Sequence, residues 1–148
     1  MTADITLSAA AVALAPATWK YGALLTGVVI TQILGMLWYS PLLFGNIWLD
    51  YHPEIKKKIS AGPVNFKAKM VASAIGDMVF ALFLSLFFHP NSLESAIVMT
   101  VGLEMLNLLM QWQHIVWVDQ KLGCLVIDQG YDTLSIFIKL LTLAYVPF

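Results

Sequence analysis

Two runs of polar side chains recur at helical spacing within apolar sequence, and these are the residues whose types could do chemistry. Each run follows the spacing four, three, four, three, which keeps its members on one face of a helix. The first run is Thr100, Glu104, Asn107, Gln111 and His114, and the second is Asp128, Asp132, Ser135, Lys139 and Thr142. Ionisable groups at membrane depth are costly, and they mark ion or proton pathways or pair with one another. The two runs are therefore expected to face each other inside a bundle.

The composition indicates a membrane protein. Of the 148 residues, 59% are hydrophobic and 11% are charged, whereas roughly a quarter of an ordinary soluble domain is charged. Eight lysines and nine carboxylates leave no basic surface for nucleic acid. The single cysteine, Cys124, can neither form an internal disulfide nor supply a zinc site by itself. The lipid bilayer is the predicted partner, nucleic acid is not, and no cofactor or metal is predicted.

Four segments are predicted to cross the membrane as helices. About 20 apolar residues span a bilayer core, and a helix satisfies its own backbone hydrogen bonds. The spans are predicted near residues 21–39, 69–88, 95–118 and 129–147. The last carries Lys139 and is close to the minimum length. The predicted fold class is an all-α membrane protein, a bundle of four transmembrane helices over residues 21–148.

Residues 1–20 are predicted to form a lead-in segment. The stretch from Ile5 to Ala15 is apolar but short, has no preceding lysine of the kind a secretory signal carries, and meets Pro16. This pattern favours a short N-terminal interfacial helix. Five lysines between the first two spans place that loop in the cytoplasm by the positive-inside bias. Both termini of this multi-pass protein are then predicted on the non-cytoplasmic side.

Depth arithmetic brings charged groups of separate helices to one level. At a rise of 1.5 Å per residue, Glu104 and Lys139 both fall within about 5 Å of mid-membrane, where they can pair. Asp77 lies near the middle of the second span, so two carboxylates would share one ammonium, and a proton, water or a cation would compensate the surplus charge. His114 and Asp132 can form a second contact toward the cytoplasmic side. The candidate intramembrane polar core is Asp77, Glu104, Asn107, Gln111, His114, Asp132, Ser135 and Lys139.

Two interpretations of this polar core stay open. It is either a proton-titratable site on a pathway, or a buried ion pair that fixes helix register while amides and hydroxyls bond across helices. Small residues indicate where the helices pack, because helix association in lipid depends on close approach. They recur every fourth residue as Ala23, Gly27, Thr31 and Gly35 in the first span and as Ala68, Ala72 and Gly76 in the second. These faces are expected to pack internally, and self-association is the alternative.

A compact motif, WYSPLLFGNIW, directly follows the first span. Its distinctive members are Trp38, Tyr39, Ser40, Pro41, Phe44, Gly45 and Trp48. Pro41 cannot continue a helix and Gly45 tolerates conformations that other residues avoid, so the helix is predicted to end at the cytoplasmic face. The apolar residues expected along the membrane surface there are Leu42, Phe44, Ile47 and Trp48. In an alternative interpretation, Tyr39, Ser40 and Trp48 frame the mouth of a ligand cavity.

This motif resembles the signature of a family of small integral membrane proteins from bacteria and fungi, catalogued as domain of unknown function 1761. A later stretch, Ile127 to Tyr131, is similar to the family's segment entering the last helix, with aspartate at 128 where the family commonly has asparagine. The resemblance covers most of residues 21–148. It implies the four-span fold and implies no activity.

Three classes of function are compatible with these features. The first is a transporter, channel or proton-coupled carrier of a small solute or ion, working as a homo-oligomer or with a membrane partner, with its path between the third and fourth helices. The second is a structural or assembly subunit. The third is a membrane-embedded enzyme acting on a lipid, which is disfavoured because the sequence has no recognisable catalytic signature, and no catalytic residue is assigned.

Overall fold

The structure is a computed structural model that describes residues 21–62, 65–118 and 121–146, and within these ranges the chain forms six α-helices and no strand. The helices are α1 (Tyr21–Trp38), α2 (Gly45–Tyr51), α3 (Pro53–Ala61), α4 (Phe66–Phe87), α5 (Leu93–Val118) and α6 (Leu122–Tyr145). The all-helical prediction is confirmed. The predicted lead-in segment, residues 1–20 with its interfacial helix, lies outside the described residues.

Three helices are long and apolar enough to cross a membrane. They are α1 over Tyr21–Trp38, α4 over Lys67–Phe87 and α5 over Leu93–Trp112. Their exposed side chains include many large apolar residues such as Val29, Val79 and Met110. An apolar surface of this extent is unsuited to water and suited to acyl chains. The chain is therefore a membrane protein, and the first three predicted spans correspond to helices whose ends differ by a few residues.

The last helix, α6, differs from the prediction. It begins at Leu122, well before the predicted start at residue 129, and it includes Asp128, Asp132 and Lys139. It is not among the three helices apolar enough to be counted as spans within the described residues. Instead it contributes many of the buried residues and packs against α1, α4, α5 and α2. The polar helix thus makes the most extensive contacts in the bundle, and its charged residues face its apolar neighbours.

Small residues on α1 let α6 approach closely. Ala23 and Thr31 are fully buried, a Cβ atom added at Gly27 would lie 2.7 Å from Thr142 Oγ1, and one added at Gly35 would lie 3.0 Å from the Tyr131 hydroxyl. This confirms the predicted internal packing face on the first span. The corresponding prediction for α4 is wrong, because its small residues are exposed and nothing lies within 4 Å of a Cβ added at Gly76. The exposed small residues of α4 are Ala68, Ala72 and Gly76.

The motif after α1 forms a tight turn. The Ser40 hydroxyl donates to the Leu37 carbonyl at 2.7 Å and accepts from the Leu42 amide at 3.2 Å, so it caps the chain reversal. A Cβ atom at residue 45 would collide with the backbone of Tyr39 and Ser40, which explains the glycine that begins α2. The predicted end of the first helix at this motif is confirmed, because α1 ends at Trp38.

Of the four apolar side chains predicted to lie along the membrane surface, two are exposed and two pack against the protein. Leu42 is 84% exposed and Ile47 is also exposed. Phe44 instead packs against the Trp38 ring at 4.7 Å between ring centroids, and Trp48 turns toward α6. The two aromatic residues find partners in the bundle, because the chain reversal brings α2 back against α6.

Two glycine-to-alanine substitutions test the packing of α1 on α6. Gly27→Ala should lower the free energy of unfolding by about 1–3 kcal/mol, because the new methyl group forces Thr142 or the helices apart. Gly76→Ala is the matched control and should be neutral or raise stability by up to about 1 kcal/mol, since alanine is the better helix former and the site is open. Unfolding in detergent micelles measures both. Equal losses at the two positions would contradict the packing.

Candidate functional site

A buried ion pair joins α6 to α4. The Lys139 ammonium donates to Asp77 Oδ1 at 3.0 Å and to the Ser135 hydroxyl at 2.5 Å, and Lys139 is only 2% exposed. The same ammonium lies 5.7 Å from the centroid of the Phe80 ring. A buried charge is tolerated when it is paired and hydrogen-bonded, and this ammonium is both. The pair is therefore the electrostatic centre of the bundle.

The other oxygen of Asp77 is held by α1. Asp77 Oδ2 accepts hydrogen bonds from the Thr31 hydroxyl at 3.0 Å and from the Gln32 amide at 2.9 Å. Gln32 also donates to the Ser73 hydroxyl at 3.3 Å. Asp77 thus links α1, α4 and α6 through three donors. Charge-assisted hydrogen bonds of this kind are stronger than neutral ones.

The predicted pairing of Glu104 with Lys139 is wrong. Lys139 is bound to Asp77, and both Glu104 oxygens are buried without a hydrogen-bond partner among the described residues, although Asn107 and Thr133 lie beside them. Asp77 is already held in place by Thr31 and Gln32, so Lys139 binds a preorganised acceptor.

A chain of amides joins α5 to α6 on the other side of the stripe. The Asn107 amide donates to Asp132 Oδ2 at 3.4 Å, and the Gln111 amide donates to Asn107 Oδ1 at 3.0 Å. Gln129, which the sequence interpretation missed, donates to Gln111 Oε1 at 3.0 Å. Gln129 lies beside the polar stripe of α6 rather than on it. Sequence spacing therefore gave no signal for this contact, which depends on how α6 packs against α5.

Two of the remaining stripe residues donate hydrogen bonds within their own helix, and the third has a side chain that the structure does not describe. Thr100 donates to the Ala96 carbonyl at 2.7 Å and Thr142 donates to the Lys139 carbonyl at 2.9 Å, so neither hydroxyl donates across helices. The side chain of His114 lies outside the described part of the structure, and with it the predicted contact to Asp132.

A cavity of about 430 Å³ lies between α4 and α5, with α6 behind it. We call it the α4–α5 cavity. Its polar lining residues are Asp77, Asn107, Tyr131, Asp132 and Ser135, and its apolar ones are Phe80, Leu103, Leu106, Met110 and Ile136. Four of the eight predicted core residues line this cavity, Lys139 binds one of them, Asp77, and Gln111 binds another, Asn107.

A second cavity, of about 500 Å³, lies between α1 and α4 toward the end of the bundle where the lysine-rich loop begins. We call it the α1–α4 cavity. Its lining is Gln32, Gly35, Met36, Tyr39, Trp48, Lys69, Met70, Ser73 and Tyr131. Tyr39 and Trp48 thus line a cavity as the alternative interpretation of the motif expected, whereas Ser40 does not. Tyr131 lines both cavities. Gln32 of the α1–α4 cavity donates to Asp77 of the α4–α5 cavity, so these side chains separate the two cavities.

Asp128 anchors the motif to α6. Its Oδ1 atom accepts from the Tyr39 hydroxyl at 3.0 Å and from the Trp48 indole at 2.9 Å, and its Oδ2 accepts from the Cys124 thiol at 3.4 Å. Trp38 adds a hydrogen bond to the Ile127 carbonyl at 3.0 Å. Burial, and then the adjacent Asp128 charge, raise the pKa of the Tyr39 phenol above its ordinary value. Tyr39 is therefore held as a neutral donor.

The fold and site define a helical membrane protein whose charged and amide side chains are buried among its helices. The family model described as Protein of unknown function (DUF1761) matches residues 22–144, and the chain belongs to this family. The resemblance read from the WYSPLLFG motif is thereby confirmed. No curated protein and no solved structure shows a significant match to the chain.

The Tyr39–Asp128 contact predicts a specific alkaline sensitivity. The folded state holds the Tyr39 proton more tightly than the unfolded state does, so this contribution to stability is complete below the ordinary phenol pKa of about 10 and falls as the pH rises above it. The free energy of unfolding of Tyr39→Phe should therefore fall less steeply than that of the wild type in this range, after a loss of about 1–3 kcal/mol at neutral pH. Unfolding in micelles as a function of pH measures both effects.

Tyr21→Phe is the control for the tyrosine substitution, because Tyr21 is an exposed phenol at the other end of α1. Its pH profile should parallel that of the wild type. Parallel profiles for the wild type and Tyr39→Phe would show that Tyr39 does not carry the effect.

Proposed function

We propose that this chain is a small membrane carrier that moves protons through its polar core, alone or together with a small solute. The observation that carries the proposal is the environment of Glu104, whose two carboxylate oxygens are buried beside Asn107 and Thr133 and form no hydrogen bond of good geometry with a described residue. Glu104 lies close enough to Asp132 for the two carboxylates to interact, and Asp132 and Asp77 both interact with the Lys139 ammonium, which binds Asp77. Such a set favours exchange of a proton or a cation.

The proposal includes α6 as a fourth span. This helix has 24 residues and is about 36 Å long, which exceeds the roughly 30 Å of a bilayer core. At one end Trp38 and Trp48 contact Ile127 and Asp128, and at the other the Tyr145 hydroxyl accepts from the Leu93 amide. These contacts support a helix that runs the full depth of its apolar neighbours. With the lysine-rich loop in the cytoplasm, both termini would lie on the opposite side.

The polar residues have two roles in this proposal. The Lys139–Asp77 pair is hydrogen-bonded on both sides and holds α1, α4 and α6 together. Glu104 and Asp132 are the groups that would exchange protons, and the two cavities on either side of Asp77 would supply access from different directions. A second copy could close the bundle, because the small residues of α4 leave an open face.

The proposal is tested with full-length protein in liposomes that contain a pH-sensitive dye. A pH gradient is imposed with valinomycin and potassium to balance charge. The wild type should dissipate the gradient faster than empty liposomes, and Glu104→Gln should lose most of this protein-dependent rate, because glutamine cannot carry the proton.

Glu94→Gln is the matched control, since Glu94 is an exposed carboxylate in the first turn of α5. It should keep the wild-type rate. Circular dichroism and the unfolding midpoint report whether each variant is folded. A wild type that moves no protons, or a Glu104→Gln variant that is folded and fully active, would contradict the proposal, and the first of these results would favour a structural subunit.

A further inference from the structure

The α4–α5 cavity has the chemistry of a binding site for one class of solute. We propose that it binds a small organic cation with an apolar body, such as an alkyl or aryl ammonium ion, whose charged group faces Asp132. This inference rests on the proposed function and names the solute of the same site.

The charge of the cavity favours a cation. Asp77 is neutralised by Lys139 at 3.0 Å, whereas Asp132 has no ion pair with any side chain that the structure describes and accepts from the Asn107 amide at 3.4 Å. Glu104 lies close enough to interact electrostatically with Asp132, which adds negative charge and supplies no donor. A carboxylate that lines a largely apolar cavity is stabilised by an opposite charge that enters the cavity.

The walls favour an organic cation over an inorganic one. A metal cation such as calcium requires six or more oxygen ligands at short distance. The cavity instead presents four aliphatic or thioether side chains, which are Leu103, Leu106, Met110 and Ile136. The aromatic rings of Phe80 and Tyr131 also line it, and aromatic faces attract ammonium groups. An ion with an apolar body matches both parts of this lining.

Anions are disfavoured by the same geometry. Among the residues that the structure describes, the ammonium next to the cavity is that of Lys139, which is 2% exposed and already donates to Asp77 and Ser135. A bound anion would therefore face Asp77 and Asp132 without a free cation to receive it. A neutral apolar molecule would leave the Asp132 charge against apolar surface, which is costly.

The size and position of the cavity suit entry from the bilayer. Its volume of about 430 Å³ falls in the range of small-molecule sites, roughly 300–1,000 Å³. Leu106 and Met110 line it and are also 59% and 78% exposed on the apolar surface of α5. An amphiphilic cation in the membrane can reach Asp132 between α4 and α5 without crossing the polar ends of the bundle.

The test is equilibrium binding of radiolabelled benzyltrimethylammonium, a permanent cation, to the full chain in lipid nanodiscs at alkaline pH, with empty nanodiscs subtracted. The wild type should bind saturably. Asp132→Asn removes the charge while keeping a partner for Asn107, and its dissociation constant should rise by about tenfold or more. Neopentylbenzene, the uncharged isostere with carbon in place of nitrogen, should not compete.

Two further variants keep the result interpretable. Leu106→Trp fills the mouth of the cavity from an exposed position and should abolish binding without changing any charge, even if Asp132→Asn folds poorly. Glu94→Gln removes an exposed carboxylate of α5 and should bind within about twofold of the wild type. Circular dichroism checks that each variant is folded.

Four results would overturn the inference. They are absence of saturable binding to the wild type, unchanged binding by both Asp132→Asn and Leu106→Trp, equal competition by neopentylbenzene, and displacement by sodium at the concentration of the organic cation. Protein-dependent proton movement without cation binding would refute this inference and leave the proposed function standing. Loss of both would refute both.

Discussion

The fold depends on how a lysine is kept charged in the interior of a membrane bundle. Lys139 is almost completely buried, and an isolated ammonium at that depth would be strongly unfavourable. Asp77 and Ser135 remove most of this cost by direct hydrogen bonds, and Thr31 and Gln32 hold the carboxylate in place. Asp77 lies on α4, and the groups that donate to it lie on α1 and α6. The ion pair and its hydrogen bonds therefore fix how these three helices meet.

Other features follow from placing the most polar helix at the centre. The three apolar helices cover the charged residues of α6, and the small side chains of α1 allow its close approach to Lys139, Thr142 and Tyr131 of α6. The motif after α1 folds back so that Tyr39 and Trp48 bind Asp128 and fix the near end of α6. Where α4 and α5 do not pack closely, the α4–α5 cavity remains beside Asp132 and Asp77.

Sequence reasoning found the residues of the core but not all of their partners. The spacing of the two stripes and the helix-breaking Pro41 and Gly45 are local features, so the helices, the turn and the buried positions could be predicted. Which residues pair depends on the rotation of each helix about its axis, and residue spacing alone does not fix that rotation. For this reason the sequence predicted a Glu104–Lys139 pair, whereas Lys139 binds Asp77. The same limit explains the missed Gln129 and the small residues of α4 that face outward.

A pair of double-mutant cycles tests the central ion pair most directly. In one cycle Asp77→Asn and Lys139→Gln are combined, and in the other Glu104→Gln and Lys139→Gln, with unfolding free energies measured in the same micelles. The structure predicts a coupling energy of about 1 kcal/mol or more between Asp77 and Lys139, and less than about 0.5 kcal/mol between Glu104 and Lys139. Coupling of Lys139 to Glu104 in place of Asp77 would contradict the arrangement of the core.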